Sequence, residues 1–376
     1  KDGRGASPKR LSEGVVGKGD EKDFSHSLEM TMQGSRYRLN PKPCALNHAI
    51  IRKSFENERS PIMKLVIINT LSEDKIKSLK KAVPGAIVES YKSPKEAIPH
   101  VADADAIAMW GFQDVEPILA AGPNIRWVHS LSDGVERLLS PSMLSRPIHL
   151  TNSHGVHDRA VSEHTLALLL AWMRRIPDAV RHQSAHEWIR PRGDTLFGKT
   201  ILIVGFGSIG RAIAQRAKVF ETRILAVKKH LSTEMFADHV YLEDQLAEVL
   251  PEADIVIAAL PATPETDHFF GQKEFALMKR SALFINIARA SVVDEAALID
   301  ALSQKEIAGA CMDVFSKEPL PGDHPFWQMD NVIMTPHIAS MVPDFWDKLT
   351  SLLQMNFVAF ARGDKLMNEV DKKKGY

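Results

Sequence analysis

The feature that most constrains the fold is a glycine-rich turn in the middle of the chain. Gly205, Gly207 and Gly210 follow the apolar run Ile201–Val204 and open a segment of helical periodicity, Ser208–Phe220. In such a strand–turn–helix unit, the first glycine permits the turn and the second lets the backbone approach a pyrophosphate at the helix N-terminus. The third permits close packing of helix on strand. We therefore predict a dinucleotide-binding unit. Its predicted cofactor contacts are Gly205, Phe206, Gly207, Ser208, Ile209 and Gly210.

Short apolar runs alternate with helical patterns from Met63 onward, which is typical of α/β proteins with parallel sheets. The strands predicted before the glycine turn are Leu65–Ile68, Ala106–Trp110 and Arg126–His129. Six more are predicted in the second half: Ile201–Val204, Arg223–Val227, Ile255–Ala259, Ala282–Ile287, Ala308–Val314 and Val332–Thr335. The expected fold is α/β, with two Rossmann-like domains, each a doubly wound parallel sheet, and a cleft between the domains.

The chain divides into three predicted regions. Residues 1–62 mix charges and glycines without a hydrophobic period, so we expect a disordered leader or an artefactual extension. Residues 63–153 would form the substrate (catalytic) domain, and residues 154–342 the dinucleotide-binding domain. Residues 343–376, with a helix over Phe345–Arg362, would complete the first domain.

Composition excludes several classes of protein. Lys+Arg and Asp+Glu both total 47, so the basic excess typical of nucleic-acid binding is missing. The longest apolar run, Leu166–Met173, is too short for a membrane span. Cys44 and Cys311 cannot build a disulfide framework, and His154 and His157 lack a third metal ligand at useful spacing. We expect a cytoplasmic protein without a metal.

The end of the second predicted strand of the dinucleotide unit bears on the choice of cofactor. NAD-binding units carry an acid about 20 residues after the glycine turn, where it binds the ribose hydroxyls. Here the strand runs into Lys228, Lys229 and His230 instead. Because lysine attracts the 2′-phosphate of NADP as a point charge, NADP(H) is favoured, with NAD(H) as the alternative.

The segment Val161–Met173 has one apolar helical face. Such a face packs either in the core of the chain or against a second copy in a homodimer. The pattern does not separate these two interpretations.

Three polar motifs follow predicted strands: Asn286–Asp294, Gly309–Pro319 and Asn331–Ala339. Together with the glycine turn and the stretch Pro261–Thr266, they closely resemble the D-isomer-specific 2-hydroxyacid dehydrogenase family, in particular its glyoxylate/hydroxypyruvate reductases. The resemblance covers roughly residues 95–345. It implies an oxidoreductase that transfers a hydride between NAD(P)H and a small 2-keto acid to give a D-2-hydroxy acid.

The resemblance also assigns catalytic roles by position. Arg289 matches the arginine that binds the substrate carboxylate and keto oxygen, for which a planar guanidinium is suited. His337 matches the general acid–base, and Glu318 matches the acid that hydrogen-bonds this histidine and favours its protonated form. Asp313 matches an acid near the nicotinamide carboxamide. Besides Lys228, the further predicted cofactor contacts, which the resemblance implies, are Pro261, Thr266, Ala288, Asp313 and His337.

A loop over Ser132–Glu136 matches the family's carboxylate-binding loop, in which backbone N–H groups hold the substrate. Gly134 would let the backbone come close to the substrate. Asp133 departs from the small or apolar residue that is usual there, since a carboxylate would repel an anionic substrate unless it is turned away. Trp110 either shapes the substrate pocket or packs in the core.

The main alternative function is a nucleotide-sensing corepressor-type binding protein of the same superfamily, which can retain the catalytic residues. A formate-dehydrogenase-like activity is disfavoured, because that branch pairs its histidine with an amide whereas Glu318 is an acid.

Overall fold

The computed structural model describes residues 62–375 and contains two parallel β-sheets. The predicted leader lies outside the described residues, apart from Ile62. The first sheet has five strands in the order β2-β1-β3-β4-β5, and the second has seven in the order β12-β11-β10-β9-β6-β7-β8. The first sheet comprises β1 (Lys64–Ile68), β2 (Ile87–Tyr91), β3 (Ala106–Met109), β4 (Trp127–Ser130) and β5 (His149–Thr151).

The second sheet is the larger one and contains the glycine turn. Its strands are β6 (Thr200–Val204), β7 (Arg223–Lys228), β8 (His239–Leu242), β9 (Ile255–Ala258), β10 (Leu283–Asn286), β11 (Gly309–Met312) and β12 (Val332–Met334). Its strand β6 is flanked by β7 and β9, so the strand order reverses beside the glycine turn. Ligands bind at such a reversal in open α/β sheets. The α/β fold class is confirmed.

Helices connect the strands of both sheets. They are α1 (Glu73–Ala82), α2 (Pro94–Ala97), α3 (Glu116–Ala121), α4 (Pro141–Ser145), α5 (Asp158–Met173), α6 (Ile176–Ser184), α7 (Ser208–Ala217), α8 (Leu246–Val249), α9 (Gln272–Leu277), α10 (Glu295–Ser303) and α11 (Phe345–Arg362). Parallel strands need such crossover connections, because a short hairpin cannot join them.

Strands β2, β5 and β8 were missed in the sequence. All three lie at sheet edges, where one side of the strand is open to solvent. Strand β5 has only three residues, and β2 and β8 carry polar residues and are mostly half-buried. An edge strand of this kind lacks the continuous apolar run by which the buried strands were recognised.

The apolar face of α5 packs inside the chain. Val161, Leu168, Leu169 and Met173 are buried in one cluster with residues of the second sheet such as Ile203. Of the two interpretations left open by the sequence, the structure therefore shows core packing for this face. Each such side chain contributes roughly 1.5–3 kcal/mol when it is fully buried.

Helix α11 has the bounds that the sequence predicts, and it returns the chain to the first sheet. Phe345, Leu349, Leu353 and Phe357 are buried in one cluster with Leu65, Ile67 and Trp127. Within residues 62–375, no helix is both long and apolar enough to cross a membrane.

Candidate active site

A cavity of about 660 Å³ lies at the carboxyl ends of strands from both sheets. Its walls come from the loops that follow these strands, where ligands bind in parallel α/β folds. The lining includes Asp133–Glu136 from the first sheet, and Gly205–Ile209, Lys228–Ser232, Ala259–Thr266 and Ile287–Arg289 from the second. The volume is within the usual range for a small-molecule or cofactor site.

The glycine turn has the shape that a dinucleotide needs. Gly205 has a φ of +94°, and a Cβ there would lie 2.4 Å from the Ala259 carbonyl oxygen. A Cβ on Gly210 would lie 2.5 Å from the Gly205 carbonyl oxygen, whereas one on Gly207 would meet no atom within 4 Å. Packing therefore requires two of the glycines, and Gly207 leaves the backbone open at the N-terminus of α7. These residues fit a bound pyrophosphate.

Most of the other predicted cofactor contacts line the cavity, whereas Asp313 and His337 do not. Phe206, Ser208, Ile209, Lys228, Pro261, Thr266 and Ala288 line the cavity. The Ser208 hydroxyl donates to Asp158 at the start of α5 (2.8 Å), and the Thr266 hydroxyl donates to the Pro261 carbonyl (2.7 Å). These two bonds fix the loops that carry the cofactor site.

The end of β7 holds an acid that the sequence analysis missed. The Glu234 carboxylate accepts two hydrogen bonds from Arg211, at 2.7 and 2.8 Å, and pairs with Lys228. Although burial opposes ionisation, the bonds from Arg211, Lys228 and Ser232 lower the pKa of Glu234 to about 2. The sequence suggested that Lys228 is unpaired, whereas in the structure it pairs with Glu234. The sequence does not indicate this contact, because Glu234 lies six positions beyond the end of β7 and the loop brings it back to Lys228.

His337 and Glu318 form a hydrogen-bonded pair. The Nδ1 of His337 lies 2.8 Å from the Glu318 Oε2, and Glu318 also accepts from the Phe315 N–H through its other oxygen at 3.0 Å. The pair follows β11 and β12 at the carboxyl edge of the second sheet. No residue in the described part of the chain bonds His337 Nε2, so that nitrogen is open to a substrate. Neither side chain is among those that line the cavity.

Asp313, which the resemblance places near the nicotinamide carboxamide, is bound by groups of the chain itself. It is 1% exposed and accepts hydrogen bonds from the Thr335 hydroxyl (2.6 Å) and from the Ile338 and Ala339 N–H groups (both 3.0 Å). Burial opposes its ionisation, but His164 and these donors outweigh it and lower the pKa of Asp313. Asp313 therefore holds the segment on both sides of His337 and does not line the cavity.

Arg289 follows β10 and contacts the carboxylate-binding loop. Its Nη1 donates to the Ala288 carbonyl (2.8 Å) and its Nε donates to Glu136 (3.1 Å). A Cβ on Gly134 would lie 2.4 Å from Arg289 Nη2, so a larger residue there would force the guanidinium to move. The structure thus brings together Arg289 and Gly134, two residues on which the resemblance places the substrate carboxylate.

Asp133 is turned toward a histidine. Its Oδ1 lies 3.0 Å from the Nδ1 of His154, and its backbone carbonyl accepts from the Asn152 amide at 2.7 Å. The hydrogen bond that protonated His154 donates to Asp133 raises the pKa of His154. Burial opposes ionisation of Asp133, but His154, with smaller contributions from His157 and Arg289, lowers its pKa. The pair is thus neutral overall when His154 is protonated, which removes the expected repulsion of an anion.

Trp110 packs rather than lining the cavity. Its Nε1 donates to the Asn69 side chain (3.2 Å), and its ring stacks with Phe112 and Phe345 at 5.8 and 6.3 Å between centroids. Trp110 is half-buried among these aromatic rings, and its part in shaping the substrate pocket stays a prediction. Among residues 62–375, no group of three or more His, Cys, Asp or Glu side chains is placed to hold a metal ion.

Comparison with known proteins yields one family. The model for "D-isomer specific 2-hydroxyacid dehydrogenase, NAD binding domain" matches residues 166–339, which span the glycine turn, Arg289, Glu318 and His337. A glyoxylate reductase from Pyrococcus furiosus is 36% identical over 317 residues, which cover 80% of this chain and 93% of the relative.

Solved structures show the same architecture. A D-isomer specific 2-hydroxyacid dehydrogenase family protein from Aeromonas salmonicida is 30% identical with a TM-score of 0.75, covering 82% of this chain and 99% of that one. A D-isomer specific 2-hydroxyacid dehydrogenase from Xanthobacter autotrophicus, in complex with NADPH and MES, is 28% identical with a TM-score of 0.74. The match covers 84% of this chain and 100% of that one.

Proposed function

The chain belongs to the D-isomer specific 2-hydroxyacid dehydrogenase family, and from this premise we propose that it reduces a small 2-keto acid, such as glyoxylate or hydroxypyruvate, with NADPH. It is an oxidoreductase that transfers a hydride between a nicotinamide cofactor and a 2-keto acid. The corepressor-type alternative is not favoured, because the similar proteins are reductases and dehydrogenases. The proposed product is the D-2-hydroxy acid.

The His337–Glu318 pair is the observation that carries this proposal. A bound reduced nicotinamide supplies the hydride to the carbonyl carbon. His337 Nε2 gives a proton to the carbonyl oxygen, so that C=O becomes CH–OH, and Glu318 holds the ring through Nδ1. Arg289 binds the substrate carboxylate beside Gly134. Because His337 lies outside the lining of the cavity, we propose that the two sheets close on the substrate before the transfer.

The preference for NADPH rests on charge at the end of β7. Two cations, Arg211 and Lys228, share the single carboxylate of Glu234, and Lys229 and His230 also line the cavity. Within this loop the cations Arg211, Lys228 and Lys229 outnumber the one carboxylate of Glu234, although Glu243 and Glu265 also line the cavity. Cations at this position favour a 2′-phosphate over a ribose hydroxyl. The Xanthobacter relative was solved with NADPH, which agrees with this preference.

We also propose that the protein is a cytoplasmic homodimer. Residues 174–195, which include α6, contain no buried residue although Ile176, Val180, Trp188 and Ile189 are apolar and exposed. A segment of this kind is stabilised when a second copy of the chain covers it. Trp188→Ala should shift the protein toward monomer in light scattering after size exclusion, and an unchanged mass would argue against this interface.

Turnover assays test the proposed activity. Loss of reduced-nicotinamide absorbance would be followed with NADPH and NADH in parallel, against glyoxylate, hydroxypyruvate, pyruvate, phenylpyruvate and 2-ketoisocaproate. We expect kcat/KM to be higher with NADPH than with NADH. Measurable binding of cofactor without turnover of any keto acid would contradict the reductase assignment.

A further inference from the structure

Glu136, in the carboxylate-binding loop, contacts the arginine on which substrate binding depends. Its Oε1 lies 3.1 Å from Arg289 Nε, and both side chains are partly exposed. A Cβ on Gly134 would lie 2.4 and 2.5 Å from the two Glu136 oxygens and 2.4 Å from Arg289 Nη2. The Glu136 carboxylate and the guanidinium therefore share the space directly over the Gly134 backbone.

The geometry of the guanidinium limits where a second carboxylate can bind. Arginine pairs with a carboxylate through two parallel N–H groups on one edge of its planar fork. In Arg289, Nη1 already donates to the Ala288 carbonyl at 2.8 Å. The edge formed by Nε and Nη2 is the one that faces Gly134, and Glu136 is bonded to it.

We propose that Glu136 competes with the substrate carboxylate for this edge of Arg289, so that substrate binds only after it displaces the Glu136 side chain. The inference rests on the proposed function, because it concerns the same substrate site. Two ionised carboxylates repel each other at so short a distance, so one must leave. Glu136 lies in a turn, is partly exposed and has three rotatable side-chain bonds, and it can therefore swing into solvent.

Competition of this kind has a defined kinetic signature. The apparent affinity of a ligand falls by the fraction of molecules that are competent to bind it. Every ligand that uses the same edge of Arg289 loses affinity by one common factor, whatever its side chain. The chemical step is unaffected once the substrate is bound. Glu136 thus sets KM for 2-keto acids as a group, whereas kcat is set elsewhere.

The test is Glu136→Gln, which keeps the shape of the side chain and removes its charge. KM would be measured for glyoxylate and phenylpyruvate at saturating NADPH. The Kd of oxamate, a carboxylate analogue that is not reduced, would be measured by quenching of NADPH fluorescence. We expect both KM values and the Kd to fall by about tenfold, with kcat unchanged within about twofold. Glu136→Ala should do the same, and thermal melting checks that each variant is folded.

Two control variants separate competition from other effects. Asp133→Asn removes one negative charge from the same loop without a bond to Arg289, and its KM should fall by about threefold or less. Glu163→Gln, on the exposed surface of α5, should change nothing. An equal fall in Asp133→Asn would overturn the inference in favour of general charge repulsion.

The opposite outcome for Glu136→Gln would also overturn the inference. If Glu136 instead holds Arg289 ready for substrate, the variant loses kcat and its KM rises. The proposed function fails separately, since it requires that the unmodified enzyme reduce a 2-keto acid. The oxamate Kd still reports on the competition in that case, because it needs no turnover.

Discussion

Two histidine–carboxylate pairs, one in the loops of each sheet, have almost the same interatomic distance and side-chain exposure. In the second sheet, His337 Nδ1 lies 2.8 Å from Glu318, and the side chains are 47% and 37% exposed. In the loops of the first sheet, His154 Nδ1 lies 3.0 Å from Asp133, and the side chains are 48% and 33% exposed. The distance and exposure of a pair therefore do not distinguish a proton donor from a charge-balancing pair.

The surroundings of the two pairs differ. The buried carboxylate of Asp313 accepts hydrogen bonds from the Thr335 hydroxyl before His337 and from the Ile338 N–H after it. His154 lies instead where the chain crosses between the sheets, and its backbone carbonyl accepts from the Asn368 amide at 2.8 Å. We propose that the first pair holds an imidazole in one place, whereas the second balances the charge of the loop Ser132–Glu136.

The largest expected difference between the pairs is in kcat. Glu318→Gln keeps a hydrogen-bond partner for His337 but removes the negative charge, and we expect kcat to fall by about 100-fold. The corresponding change in the other pair, Asp133→Asn, should lower KM for the keto acid and leave kcat unchanged within about twofold. Steady-state kinetics of the two variants at saturating NADPH provide the measurement. Equal losses of kcat would mean that the pairs share one function.

Asp313→Asn tests whether the buried acid positions His337. The amide cannot accept the full set of bonds from Thr335, Ile338 and Ala339, so the segment around His337 loosens. Because a hydrogen bond to a charged group contributes roughly 1.5–3 kcal/mol, kcat should fall by about tenfold. The Kd of NADPH, measured by fluorescence, should not change. A weaker affinity for NADPH with normal kcat would support the nicotinamide contact that the sequence predicts.

Glu234→Gln extends the comparison to the cofactor end of the cavity. Removing this charge frees Arg211 and Lys228 for the 2′-phosphate, so KM for NADPH should fall by about fivefold while KM for NADH stays constant. Glu252→Gln is the matched control, since Glu252 pairs with Arg223 at the opposite end of β7. A rise in KM for NADH alone would show that Glu234 binds the ribose instead.

The smallest expected effect is the dependence of KM on pH through His154. The charged groups that face His154 are Asp133, Asp158 and Arg211. The pKa of His154 is raised by Asp133, so the neutral pair persists below that pKa and is lost as the pH rises through it. Asp133 then remains as an unbalanced charge, and KM for the keto acid should rise by about threefold.

His154→Gln is the control for this dependence. The variant should have the high KM at every pH, because Asp133 is never balanced, and its KM should no longer vary with pH in this range. A variant that keeps the pH dependence of the unmodified enzyme would assign that dependence to another group.

The buried strands, the glycine turn and helix α11 were predictable because each leaves a local pattern in the sequence. Apolar runs mark β6 and β9, and a 3.6-residue period marks α11. The edge strand β8 has no such run. His337 and Glu318, the proposed catalytic pair, were predicted from their motifs, but the motifs do not give the distance between the two side chains.

The remaining contacts depend on loops and could not be predicted. Glu234 returns to Lys228, and Glu136 reaches Arg289 over 153 positions of sequence, through backbone conformations that no short motif encodes. Asp313 was found as a motif residue, but its burial and its bonds to the segment around His337 are properties of the folded chain. Local pattern thus predicts elements and residue types, whereas partners across loops require the structure.

A single-turnover measurement tests the central claim, that His337 and not His154 supplies the proton. The enzyme would be loaded with NADPH, mixed with excess keto acid, and followed by nicotinamide fluorescence, which separates chemistry from binding. In His337→Asn we predict normal binding of NADPH and a decay slowed by at least about 100-fold, whereas His154→Asn decays at the rate of the unmodified enzyme. An unchanged decay in His337→Asn, or equal slowing in both variants, would contradict the account.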